Sequence, residues 1–112
     1  MKQVEDTVKL YRAVGFEEYD KLSDGEKFSI LEGGVNVKYF GRNLEETIIF
    51  ANKNINKGLI AIFEVEIENS ILLSIGEFVA VDTFIFKSGT VEIHEEHLQE
   101  FNNAIKYIKH VF

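Results

Sequence analysis

The sequence contains no cysteine, no proline and no tryptophan. Without cysteine, the chain cannot form disulfide bonds, use a catalytic thiolate or hold a cysteine-ligated zinc or iron–sulfur centre. Without proline, its turns depend on glycine, asparagine and aspartate. No apolar run approaches the roughly 20 residues that cross a bilayer, and nothing after Met1 resembles a secretory leader. We therefore expect a cytoplasmic protein with no membrane partner.

Basic side chains are also scarce, at 12 against 19 acidic ones, which gives a net charge of −7. Proteins that bind duplex nucleic acid usually show the opposite balance, because Lys and Arg neutralise the phosphates. We therefore expect no duplex nucleic-acid partner. The 112 residues, 46% of them hydrophobic, suffice for one core and are too few for two. We expect a single domain over residues 1–112, with the polar residues 1–7 loosely ordered.

Short apolar patterns separated by glycine predict an α+β fold. Alternation of apolar residues predicts strands, and spacing of three or four residues predicts helices. The predicted strands are Val8–Val14, Val35–Phe40, Leu59–Ile67, Ile71–Ile75, Phe78–Phe86 and Thr90–Ile93, with a brief extended piece at Phe28–Leu31. The predicted helices are Phe16–Leu22, a segment capped by Asn43 that runs to Asn54, and a last helix from Glu95 to the C-terminus. We therefore expect a mostly antiparallel, strongly twisted sheet of about six strands with two to three flanking helices, the last one C-terminal.

Arg12 is the most informative residue, because strand alternation directs it to the same apolar side as Leu10 and Val14. A guanidinium is costly there unless it is paired. Arg12 therefore either pairs with a buried acid or lines a cleft that receives an anionic ligand. Glu77, directly after Gly76, and Asp82, inside an apolar segment, are the candidate acids. Each is a possible partner of Arg12, a possible catalytic carboxylate, or an ordinary turn residue.

Two further pairs of side chains have candidate roles. Tyr39 and Phe40 are adjacent at a strand end, so one of them faces away from the core and either stacks on a planar ring or packs under the next helix. His94 and His97 are three residues apart, whereas zinc proteases use two histidines four apart. A third ligand would have to come from elsewhere, and we expect no metal site.

Several segments resemble compact bacterial toxin and phage-effector domains of the ADP-ribosyltransferase-like type. They are LYRAVGFEEYDKL at 10–22, VKYFG at 37–41, LEETIIFANKN at 44–54 and GEFVAVDTFIFKSGTVEI at 76–93. The resemblance implies a mono-ADP-ribosyltransferase-like effector that uses NAD as a substrate to modify a macromolecular target. It implies that Arg12 contacts the phosphates or ribose of NAD and that Tyr39, with Phe40 nearby, stacks on the nicotinamide. It further implies that Glu77 is catalytic and stabilises the positive charge that develops on the ribose as nicotinamide leaves.

A second hypothesis from the residues is a non-enzymatic acidic binding module, such as an immunity protein or a phage inhibitor of a host defence or toxin protein. The charge of −7 suits recognition of a basic partner. The candidate acidic residues for such a face are Glu17, Glu18, Asp20, Glu64, Glu66, Glu68, Glu95 and Glu96. The environment of Arg12 separates the two hypotheses. The enzyme requires Arg12, Tyr39 and Glu77 in one open cleft, whereas the binding module requires Arg12 to be closed off by Asp82 or Glu77.

Overall fold

A computed structural model describes residues 6–29 and 37–112 of the protein. In these two ranges, six strands form one antiparallel sheet in the order β4-β5-β2-β1-β3-β6. The strands are β1 (Thr7–Val14), β2 (Val37–Gly41), β3 (Ala61–Glu68), β4 (Glu77–Val79), β5 (Thr90–His94) and β6 (Ile105–His110). The helices in the same ranges are α1 (Phe16–Ser23), α2 (Leu44–Lys53), α3 (Asn69–Ile75) and α4 (Leu98–Ala104), with 3₁₀ turns at Ile55–Lys57 and Glu95–His97.

The predicted α+β class and the antiparallel six-stranded sheet are confirmed. The described residues contain four helices, where two to three were predicted. The N-cap role of Asn43 is also confirmed, since its side chain accepts a hydrogen bond from the backbone N–H of Glu46 at 3.0 Å. The predictions for residues 1–5, and for the extended piece and strand start that fall within 30–36, lie outside the described residues.

The sheet consists of two three-stranded halves that meet at β1 and β2. In one half, β3 pairs with β1 from Thr7 opposite Glu68 to Val14 opposite Ala61, and with β6 on its other side. In the other half, β5 pairs with both β2 and β4. The pair that joins the halves is Tyr11 opposite Gly41.

The core lies on one face of the sheet, here called the core face, which α1, α3 and α4 cover. Its strand residues alternate along each strand, as burial of one sheet face requires. They are Leu10, Val14, Phe40, Phe63, Val65, Ile67, Val91 and Ile93, and the helices add Leu22, Leu72, Ile75, Leu98 and Phe101. Phe101 lies at the centre of an aromatic group, with ring centroids 5.0 Å from Phe40 and 6.0 Å from Phe28.

The predicted C-terminal helix ends early, at Ala104, and Ile105–His110 forms the edge strand β6 instead. The misleading apolar spacing comes from a β-bulge where β6 pairs with Glu66 and Ile67 of β3. Because a bulge adds a residue to one strand, Ile105 and Ile108 both pack against the core although they are three positions apart. Three-residue apolar spacing is the pattern of a helix, so the sequence indicated the wrong element.

The prediction of a strand at 71–75 was also wrong, and that of a strand at 78–86 holds only for its first two residues. The first segment belongs to helix α3, whose Leu72 and Ile75 are buried at helical spacing. Apolar runs of this length do not distinguish a strand from a buried helix. In the second segment, β4 ends at Val79, and Asp82 adopts a left-handed backbone with φ of 46°. Its carbonyl accepts hydrogen bonds from the N–H groups of Ile85 and Phe86, so the chain turns where the strand was predicted to continue.

Candidate functional site

Arg12 is held by a bidentate ion pair with Glu18 of α1. Its Nε donates to Oε2 of Glu18 at 2.7 Å and its Nη2 donates to Oε1 at 3.0 Å, while Nη1 donates to the carbonyl oxygen of Tyr39 at 3.0 Å. The guanidinium also lies 5.9 Å from the centre of the Phe40 ring. Of the two alternatives for Arg12, the structure shows pairing with a buried acid, but that acid is neither Asp82 nor Glu77. Both lie on other parts of the chain, Asp82 in an exposed turn and Glu77 on the edge strand.

Glu18 was predicted to face water, and that prediction was wrong. The helix presents Glu18 and Leu22 to the sheet, four positions apart, and both are buried. Phe16, the first residue of this helix, is 70% exposed. Glu18 and Leu22 are four residues apart, which places their side chains on the same face of a helix, and this spacing was the signal in the sequence. It was not decisive, because a short helix with acids at 17, 18 and 20 does not reveal which acid faces the core.

Lys38 completes a buried group with Arg12 and Glu18 that we call the ion cluster. Its Nζ donates to Oε1 of Glu18 at 3.2 Å, and the residue is only 4% exposed. Burial lowers the pKa of Lys38, as does the nearby charge of Arg12, and the attraction of Glu18 offsets part of this. Burial alone would raise the pKa of Glu18, but the hydrogen bonds and charges of Arg12 and Lys38 outweigh it and hold that pKa below its usual value. The cluster therefore keeps its carboxylate ionised at neutral pH.

A cavity of about 420 Å³ lies on the other face of the sheet, at the seam between β1 and β2. Helix α2 contributes Thr47 and Phe50 to its wall, and the turn after β4 contributes Asp82 and Phe86. Three of the predicted site residues, Arg12, Tyr39 and Phe40, are among its lining residues.

The side chains of these three residues do not all face the cavity. Phe40 is fully buried against Phe28 and Phe101 in the core, and Arg12 is bound to Glu18 on the core face. Tyr39 alternates with Phe40 along β2, and it is 42% exposed. The prediction that one ring of this pair faces away from the core is therefore confirmed, and that ring is Tyr39.

Glu77, the predicted catalytic acid, is not among the described residues that line this cavity. It lies on β4 opposite Glu92 of β5. One of its oxygens is 3.2 Å from Nε2 of His94. The four predicted site residues are therefore not gathered in one cleft.

The face of the sheet opposite the core carries tyrosines, glutamates and two lysines, and we call it the open face; it comprises Tyr11, Tyr39, Tyr107, Glu64, Glu66, Glu92, Lys9 and Lys109. Glu64 accepts hydrogen bonds from Tyr11 at 3.1 Å and from Tyr107 at 2.6 Å. Tyr39 lies opposite Glu92, its cross-strand neighbour, and burial followed by the negative charge of Glu92 raises the pKa of Tyr39. The bonds to Glu64 hold the rings of Tyr11 and Tyr107 in place on the sheet. The sequence suggested a solvated Glu64, but the residue is buried beneath its two tyrosine partners.

The hydrogen bond to Glu64 is the main cause that raises the pKa of Tyr107 to about 12, with smaller effects of burial and of the negative charge. Since the folded state holds this proton more tightly, the stabilisation is complete below the ordinary value of 10.0 and is lost as pH rises from there toward about 12. We expect phenolate absorbance in a pH titration of the wild type to include one tyrosine that ionises near pH 12.

The matched variants are Tyr107→Phe, which should lose that ionisation, and Glu64→Gln, which should move it to lower pH. Tyr39→Phe serves as the control, because Tyr39 lies opposite a different glutamate, Glu92. An unchanged high-pH ionisation in Tyr107→Phe would show that another tyrosine carries it.

No protein-family profile, no curated protein and no solved structure matches the chain. Among residues 6–29 and 37–112, no helix is both long and apolar enough to cross a membrane.

Proposed function

We propose that this protein is a non-enzymatic acidic binding module whose partner is a protein with a basic surface. The observation that supports the proposal most directly is that Glu18 pairs with the Arg12 guanidinium, through hydrogen bonds of 2.7 and 3.0 Å. The cation that an NAD site would need is already paired within the fold. Taking Arg12 away from Glu18 to bind a phosphate would leave a buried carboxylate with one fewer partner, which is costly.

The open face is the surface that we assign to partner recognition. Tyrosine suits interfaces because it combines a large apolar ring with a hydroxyl and has few rotamers to restrict. Tyr39 is half-exposed, and its backbone is held in β2 opposite Glu92 before binding, which lowers the entropy cost of association. The adjoining cavity, lined by Tyr11, Phe50 and Phe86, provides room for a side chain of the partner.

Charge complementarity supports a basic partner. The chain carries a net charge of −7. The open face contributes three glutamates, of which Glu66 and Glu92 are partly exposed, against the two exposed lysines Lys9 and Lys109. Opposite charges on two partners accelerate their encounter and disfavour acidic competitors. The association rate should therefore fall as salt is raised, because ions screen the exposed charges.

The test is capture of a partner by the immobilised protein from a lysate of the organism that encodes it, followed by calorimetry with the purified partner. We expect a basic protein, with Tyr39→Ala weakening its binding by roughly tenfold or more, as for an aromatic residue at the centre of an interface. Glu66→Gln should weaken binding and reduce its salt dependence.

Two exposed residues of α1, on the other side of the sheet, serve as controls. Phe16→Ala is matched to Tyr39→Ala, and Glu17→Gln is matched to Glu66→Gln. The proposal is wrong if the captured protein is acidic, or if the α1 variants weaken binding as much as the open-face variants do.

An NAD-using transferase is the second candidate, favoured by the fact that Arg12, Tyr39 and Phe40 line one cavity of about 420 Å³. This candidate requires Arg12 to leave Glu18 and requires an acid other than Glu77 beside the cavity. Asp82 lines the cavity and is the carboxylate available there. Detection of NAD binding that depends on Arg12 would favour this candidate over the binding module.

A further inference from the structure

Three side chains at the β4–β5 edge of the sheet converge on one point. Glu77 and Glu92 are direct cross-strand neighbours, and His94 lies two positions beyond Glu92 on the same side of β5. Their nearest ligand atoms, one from each residue, all lie within 4.8 Å of one another. Nε2 of His94 is 3.2 Å from a Glu77 oxygen and 3.3 Å from a Glu92 oxygen.

The two distances from Nε2 match those between ligand atoms around a small metal ion. Zinc binds imidazole nitrogen and carboxylate oxygen at about 2.0–2.2 Å, so two ligands of a tetrahedral zinc lie about 3.3–3.5 Å apart. Nε2 carries at most one proton and can donate it to one carboxylate at a time. An ion at the centre of the three atoms would satisfy both carboxylates at once.

His97 provides an internal comparison, because it also lies near two glutamates. Its Nδ1 is 3.2 Å from Glu100 and its Nε2 is 4.0 Å from Glu96, so the two acids lie at opposite nitrogens of the ring. Such an arrangement cannot converge on one ion, whereas both acids at His94 face the same nitrogen.

Electrostatics also favours a cation at this point. Like charges placed directly opposite on neighbouring strands destabilise a sheet, and Glu77 and Glu92 are such a pair. The side chains of Glu77, Glu92 and His94 are 63%, 16% and 39% exposed, so an ion can reach them from solvent.

We propose that Glu77, Glu92 and His94 form a binding site for a divalent transition-metal ion, with zinc as the best match. The mixed nitrogen and oxygen donors favour zinc over magnesium and calcium, which prefer oxygen ligands alone. The three protein ligands leave a fourth position for water or for a donor from another molecule. The site does not depend on the proposed binding function, and it uses His94 but not His97 of the histidine pair noted in the sequence.

The test is isothermal calorimetry of zinc chloride with the untagged, chelator-treated protein, repeated with magnesium and calcium chloride. We expect one zinc ion per chain, with no comparable binding of magnesium or calcium. His94→Ala and Glu92→Gln should each weaken zinc binding by at least about tenfold. The matched control His97→Ala should stay within about twofold of the wild type.

Cobalt provides a second readout, since a tetrahedral cobalt site absorbs visible light strongly and an octahedral one does not. Circular dichroism of each variant shows whether the fold is retained, which is expected because all the altered side chains are partly exposed. The proposal is overturned if wild-type protein binds no zinc at concentrations up to about 1 mM. It is also overturned if His94→Ala binds zinc as tightly as the wild type, or if His97→Ala is the variant that loses binding.

Discussion

Glu18→Gln should lower the free energy of unfolding by about 3–5 kcal/mol, the range for removal of one partner from a buried ion pair. The substitution preserves the shape of the side chain but removes the negative charge that Arg12 and Lys38 share. Lys38 is 4% exposed, so its ammonium cannot recover hydration without moving. Urea unfolding followed by circular dichroism measures the difference at pH 7.

Glu17→Gln is the matched control, because it makes the same chemical change one position away on the exposed side of α1. We expect it to change the free energy of unfolding by less than about 0.5 kcal/mol. Equal effects of the two substitutions would mean that the ion cluster contributes nothing specific to stability.

The pH dependence provides a second measurement of the same cluster. The pKa of Glu18 is below its ordinary value of 4.5 in the folded protein, so its stabilising effect is complete above that value. It is lost as pH falls from about 4.5 toward the folded pKa. The difference in stability between wild type and Glu18→Gln should therefore be constant from pH 7 to 5 and shrink at lower pH. A difference that grows on acidification would contradict the account.

Phe101→Ala should lower the free energy of unfolding by about 3–5 kcal/mol, the range for deletion of a buried phenylalanine ring. The residue is fully buried, and its ring lies 5.0 Å from that of Phe40 and 6.0 Å from that of Phe28. Removal of the ring leaves a void between α4 and the sheet that these neighbours cannot fill. The same urea titration measures the loss.

The control for this variant is Phe84→Ala, since Phe84 is 96% exposed in the turn after β4. It should leave the free energy of unfolding within about 0.5 kcal/mol of the wild-type value. A loss of less than 1 kcal/mol in Phe101→Ala, on the order of a surface substitution, would mean that α4 does not close the core.

The parts of the fold that the sequence predicts well are those in which one local pattern decides the element. The alternation from Leu59 to Ile67 predicted β3, and Asn43 followed by two glutamates predicted the start of α2. The errors occur where tertiary structure gives one element an apolar pattern that is typical of another. The bulge opposite Glu66 makes Ile105 and Ile108 of a strand resemble a helix, and the left-handed turn at Asp82 interrupts a strand-like run.

For the candidate site as well, the sequence predicts the features that one local pattern decides and misses those that depend on tertiary structure. Burial of Arg12 and its need for an acid follow from strand alternation and from the cost of an unpaired charge. The sequence does not identify which acid pairs with Arg12, because that depends on how α1 is rotated about its axis after Gly15. Likewise, His94 was visible as a possible ligand, but its approach to Glu77 depends on the pairing of β4 with β5, which no local pattern encodes.

Ligand-observed NMR with NAD tests most directly the central claim that Arg12 serves the fold and not a nucleotide. The measurement uses saturation transfer from the protein to the nicotinamide and ribose protons at millimolar NAD, for the wild type and for a folded Arg12→Ala variant. The account predicts no transfer from either protein. Transfer from the wild type that disappears in the variant would contradict it, and would make the NAD-using transferase the better description of the protein.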